Sequence, residues 1–155
     1  MVPAPVVALV VEEPEVGPEP VKKAKAVKRA AAVVTPHERA FRDAWAAFAR
    51  GDMGQAAELF AQSESAVPGE PLAEDACYGR AVALDRGGRR AEAIVEMRRF
   101  LAQYPRAVRG DEVAVTLGQM LLESGEVEGG RALLERGAKS ESAEIRKSAE
   151  RALAP

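Results

Sequence analysis

From Thr35 onward, apolar positions recur three and four residues apart, the spacing that places them on one face of a helix. Phe41, Trp45 and Phe48 form one such stripe, with Ala40, Ala44 and Ala47 beside it; Ile145, Ala149, Ala152 and Leu153 form another. The helical stretches themselves repeat. Gly51, Gly88 and Gly125 follow one another at a fixed interval of 37 residues. Five residues behind each comes a small residue (Ala56, Ala93, Gly130), and four further a large apolar one (Phe60, Met97, Leu134). Thr35-Pro36-His37-Glu38 joins an N-cap, a proline at the first helical position and the glutamate of a capping box. Pro68 and Pro105 stand where proline ends a helix, and Gly51, Gly87, Gly88 and Gly125 suit tight turns. The pattern predicts helices over 36–50, 53–66, 71–86, 90–103, 110–124, 127–138 and 141–153, that is, three helical hairpins and a closing helix. An all-α fold follows.

Residues 1–34 break the pattern. Prolines at 3, 5, 14, 18 and 20 exclude a regular helix over the first twenty positions. Glu12, Glu13, Glu15 and Glu19 are followed by a block of Lys22, Lys23, Lys25, Lys28 and Arg29. A disordered Pro/Glu/Lys-rich tail or linker is expected here, dispensable for folding, with its charges solvated. The ordered domain is expected over 35–155. At 47% hydrophobic and 5% aromatic residues, the chain suffices for one modest helical domain. A formal charge of −2 argues against binding nucleic acid through the overall field. The longest early apolar run, Pro5 to Val11, falls well short of the roughly twenty residues of a membrane span. It also lacks the basic lead and cleavage pattern of a secretory signal. No membrane span and no signal peptide are expected in the chain as given.

The small and large positions of residues 37–142 resemble three tetratricopeptide (TPR) repeats, over about 37–70, 74–107 and 111–142. Leu117-Gly118 and Leu121 match the third repeat; Ala81, Leu84, Ala93, Met97 and Pro105 the second; Ala44, Ala56, Phe60 and Pro68 the first. No tryptophan fills the family's first large position, where Ala40, Cys77 and Ala114 stand, and Ser142 replaces the third proline. The resemblance implies a right-handed α-α superhelix of three hairpins, capped by a helix from Ser140 to Leu153 with one apolar and one polar face. The extra Pro71-Leu72-Ala73 and Val108-Arg109-Gly110 between repeats, with Phe100 to Pro105, are similar to bacterial envelope members. These are the repeat domain of the Tol-Pal periplasmic coordinator protein and the lipoprotein of the outer-membrane β-barrel assembly machine.

What the resemblance implies is a non-catalytic protein-protein interaction scaffold, a periplasmic or cell-envelope adaptor that binds a peptide or partner protein on its concave face. The alternative is the soluble sensor or output domain of a membrane-anchored signalling regulator. In the family, first-helix positions line the concave groove. Here they are Phe41, Tyr78 and Val115, then Trp45, Val82 and Gln119, then Phe48, Asp85 and Leu122; the residues of the stripe Phe41, Trp45, Phe48 suit a core covered by the next helix or the tail as well as a groove. Without lysine or asparagine in these series a carboxylate clamp is not expected, and the ligand should be an apolar segment.

The residues offer little chemistry of their own. There is no Gly-rich phosphate loop and no Cys/His cluster, so no cofactor, metal or catalytic site is expected. His37, the only histidine, reads as an exposed first-turn residue. Cys77 cannot form an intrachain disulfide and reads as an inert core thiol. Asp43 and Arg80 share a repeat position and are expected to pair between neighbouring helices.

Overall fold

The structure, a computed structural model, describes residues 34–66 and 70–154. The proline-rich segment and Pro68 lie outside the described residues. Those described form seven α-helices: α1 Pro36–Ala49, α2 Met53–Ala66, α3 Pro71–Arg86, α4 Arg90–Gln103, α5 Gly110–Glu123, α6 Val127–Gly137 and α7 Ala143–Leu153. No strand occurs among the described residues, and no helix there is long and apolar enough to cross a membrane.

The helix ends follow from named residues. Thr35 caps α1 through a complete capping box: its hydroxyl accepts from the Glu38 N–H, and its own N–H donates to Glu38 Oε2 at 2.8 Å. That backbone hydrogen bond is the main reason the Glu38 carboxyl sits below its ordinary range. Pro36 and Pro71 open α1 and α3, where a missing N–H costs nothing. The three hairpin turns are one structure repeated. Gly51, Gly88 and Gly125 have φ of +86°, +74° and +89°, the left-handed region that glycine adopts without strain. Just beyond each, the N–H groups of Asp52, Arg89 and Glu126 return to the carbonyls of Ala47, Leu84 and Leu121 at 3.0, 2.9 and 2.8 Å. This is the Schellman closure, and it fixes the 37-residue period in the backbone. Gly87, the C-cap just before Gly88, has φ of −79°, outside the left-handed region.

The last helix differs from expectation. Instead of starting near Ser140, α7 starts at Ala143, with Ser142 as its extended N-cap. Ser140 donates its N–H to Gly137 O, closing a turn over Ala138 and Lys139, and Arg146 Nη1 reaches back to Ser140 O at 2.8 Å, so Ser140 to Ser142 form a short non-helical link.

Each helix packs on the next in sequence, and α1 on α3 and α5 on α7 add contacts between first helices. The main core runs from α1 to α5 around Phe60, Leu84, Met97, Phe100 and Leu117; a smaller one joins Val115, Leu134 and Ala149. Among the described residues α3 and α5 have no backbone contact. Side chains bridge that seam: Tyr78 Oη donates to Glu112 Oε1 at 2.8 Å, and Arg109 lies 4.5 Å over the Tyr78 ring.

Candidate functional site

The stripe Phe41, Trp45, Phe48 lies on α1 with Phe60 of α2 beneath it. Phe60 is fully buried and meets Trp45 and Phe41 edge to face, at centroid separations of 5.0 and 5.8 Å. Trp45 in turn meets Phe48 at 5.3 Å, and Arg86 caps the Phe48 ring at 5.0 Å. Gly79 of α3 closes the other side of Phe60, where a Cβ would come 2.6 Å from the ring. Phe41 and Phe48 are therefore half-buried against the core, while Trp45 keeps 37% of its surface exposed.

On α3, Tyr78 and Val82 are half-buried. Burial first, then the hydrogen bond to Glu112, raises the Tyr78 hydroxyl above its usual range. The third series is placed differently. Val115 is only 5% exposed and packs with Leu134 and Ala149, so it offers no surface to a partner. Gln119 Nε2 donates to Ser148 Oγ of α7 at 3.4 Å, and Leu122 packs into the smaller core. The structure thus brings the α1 residues together over Phe60, sets Tyr78 and Val82 on α3, and lays α7 against the α5 positions.

A second polar centre, absent from the sequence reading, lies on the other helices. Glu64 of α2, Cys77 of α3 and Glu96 of α4 are buried, at 8%, 0% and 5% exposure. Their donor atoms lie within 4.8 Å of one another, close enough to suggest a metal. Arg99 fills that position instead. Its Nη1 and Nη2 grip Glu64 at 2.7 and 2.6 Å, its Nε bonds Glu96 at 3.0 Å, and Nη2 lies 3.5 Å from Cys77 Sγ. The bidentate bond to Glu64 is the main reason Arg99 is held above its usual range. A cation would have to displace a guanidinium that already bonds both carboxylates, with Arg80 as a second cation on Glu96, so these residues do not fit a metal as they stand.

Burial pushes the Cys77 thiol up to about 12, so it carries no thiolate near neutral pH and is a poor nucleophile. Arg80 pairs with Glu96 at 3.5 Å and not with Asp43, because Glu96 on the adjacent α4 is buried and within its reach. His37 is half-buried, its Nε2 3.1 Å from Thr35 Oγ1. The repeat pattern gave no signal for Glu64, Glu96 or Arg99: they stand outside its small and large positions, and Glu64 and Arg99 are 35 residues apart.

Neither a protein-family model nor a curated protein matches the chain.

Proposed function

We propose that the chain is a non-catalytic protein-protein interaction scaffold: a TPR-like superhelix of the bacterial cell envelope that binds a partner along α1 and α3. The observation that carries this reading is Trp45. A large aromatic side chain with 37% of its surface exposed sits at the centre of a stripe in which Phe60 supports Phe41 and Trp45 itself, and Arg86 covers Phe48. Rigid aromatic anchors of this kind supply much of the binding energy in interfaces. Tyr78 and Val82 extend the surface onto α3, and the ligand that suits it is an apolar segment, extended or helical.

Trp45 is the only tryptophan, so its fluorescence reports this face alone. Proteins captured from an envelope extract by the wild type are compared with those captured by Val82→Glu, whose melting temperature is measured in parallel. A partner that the wild type holds, that the variant loses at unchanged melting temperature, and that shields Trp45 from acrylamide supports the reading. Partners that bind both forms equally, or leave Trp45 quenching unchanged, refute it.

A further inference from the structure

A second surface is independent of that reading. Among the described residues α2 and α4 have no backbone contact, and the gap between them forms an open cleft of about 570 Å³. That size lies in the range of small-ligand sites. Its walls carry Gln62 and Glu64 from α2, Arg80 from α3, Arg99 and Gln103 from α4, and Tyr104 just beyond.

The charged acceptor of this cleft is engaged from within: both oxygens of Glu64 accept from Arg99 at 2.6 and 2.7 Å, and Gln103 Oε1 accepts from the same guanidinium at 3.3 Å. Arg99 is therefore consumed. Besides the neutral oxygens of Gln62 and Ser65, the groups with capacity left are donors. Arg80 is 35% exposed and makes one long contact to Glu96, at 3.5 Å, leaving most of its five N–H groups unused. The side-chain amides of Gln62 and Gln103 have N–H to spare. Tyr104 Oη is buried with no hydrogen-bond partner among the described residues. A buried hydroxyl left unpaired is costly and invites a partner.

We propose that this cleft binds a carboxylate, with Arg80 as the charged contact and Tyr104 and the glutamine amides as neutral donors. A carboxylate offers acceptors alone, and its two oxygens match a guanidinium. Arg80 and Arg99 together offset Glu64 and Glu96, so the cleft is close to neutral and resists a dianion such as phosphate more than a monoanion. Two sources share this chemistry, an acidic side chain and a chain terminus.

The test uses the full chain and three acetylated alanine peptides: one with a free C-terminal carboxylate, one amidated, and one amidated with a central aspartate. Side-chain NMR signals of Arg80, Gln103 and Trp45 are followed during titration. One or both carboxylate peptides should shift Arg80 and Gln103 and leave Trp45 in place, whichever does so naming the source; the neutral amide should do nothing. Arg80→Gln should weaken that binding about tenfold or more, as loss of a hydrogen bond to a charged group implies. Tyr104→Phe guards against a folding artefact, since it breaks no pair in the structure. It should keep or raise the melting temperature while lowering the affinity. Equal shifts from the neutral amide, no shift from any peptide, shifts at Trp45 instead, or unchanged affinity in Arg80→Gln and Tyr104→Phe would each overturn the proposal. Outcomes that leave Trp45 in place do not bear on the first proposed surface, whose readout is Trp45.

Discussion

The first and third hairpins reach close packing in opposite ways at the same repeat positions. In the first, Ala44 and Ala56 are the small residues between helices, and the bulk is aromatic: Phe60 lies beneath Phe41 and Trp45 and is seated on Gly79 of the next hairpin. In the third, Gly118 and Gly130 replace the alanines, and the two backbones meet. A Cβ on Gly118 would stand 2.9 Å from Gly130 O, and one on Gly130 would stand 2.8 Å from Gly118 O. The first hairpin is held by one large side chain that needs space in its neighbour. The third is held by the absence of side chains at its helix crossing, and nothing can be added at Gly118 or Gly130 without a clash. Bulk in a repeat array can thus be placed between hairpins or withdrawn from within one, under an unchanged turn geometry.

The largest expected effect tests the aromatic side of that contrast. Phe60→Ala should cost about 3–5 kcal/mol, since it empties a fully buried ring site and strips support from Trp45 and Phe41. Urea denaturation measures this, and a loss below about 2 kcal/mol would mean the cluster does not hold the first hairpin to the second. Gly79→Ala sharpens the point. Alone it should destabilise, because the new methyl meets the Phe60 ring at 2.6 Å. In the Phe60→Ala background that penalty should vanish, giving a clear coupling energy in a double-mutant cycle. Additive costs would show that Gly79 is not the seat of Phe60.

A smaller effect tests the glycine side. Gly118→Ala should cost about 1–3 kcal/mol by overpacking, although alanine is the better helix former. The opposing atom is a backbone carbonyl, which cannot turn aside as a side chain can. The matching exchange in the first hairpin, Ala44→Gly, should also destabilise, by about 1 kcal/mol, for the ordinary reason of helix propensity. The same pair of residues is thus expected to favour glycine at one repeat and alanine at the other. If both sites prefer alanine, the α5 and α6 backbones do not approach as closely as the Gly118–Gly130 contact requires.

Much of this arrangement is written locally. The turn glycines, the prolines opening α1 and α3 and the capping box at Thr35 fix the helix boundaries within a residue or two, and the small positions Ala44, Ala56, Ala93 and Gly130 are spaced by the period itself. What escapes sequence reading is non-local or aperiodic. Gly79 has no counterpart in the other repeats, where Arg42 and Thr116 occupy its position, so the period does not single it out. Within the Arg99 centre only Glu96 stands at helical spacing from Arg99; Glu64 and Cys77 come from other helices at separations that follow no repeat rule. Asp43 and Arg80 share a register, yet the buried Glu96 engages Arg80. Val115 has the same register as the half-exposed Phe41 and Tyr78, but α7 packs against that part of α5 and buries it.

The smallest effect separates a glycine that packing requires from one that it does not. Gly129 and Gly130 are neighbours in α6 and face different surroundings. Gly130 is buried against Gly118 and Leu122, whereas Gly129 is exposed, and a Cβ there would meet only Leu121 Cδ1 at 3.6 Å, an ordinary contact. Alanine at 129 therefore adds no clash and removes the backbone freedom that glycine gives the unfolded chain. Gly129→Ala should stabilise by up to about 1 kcal/mol, raising the melting temperature by a few degrees in a domain of this size. Gly130→Ala, one residue on, should lower it, because the methyl has only a carbonyl oxygen and the Leu122 side chain to press against. Opposite signs at adjacent positions are hard to obtain from helix propensity alone, which rewards alanine at both. If Gly129→Ala destabilises, the face of α6 turned toward Leu121 is tighter than the 3.6 Å contact indicates, and the third hairpin excludes side chains over a wider surface than Gly118 and Gly130 mark out.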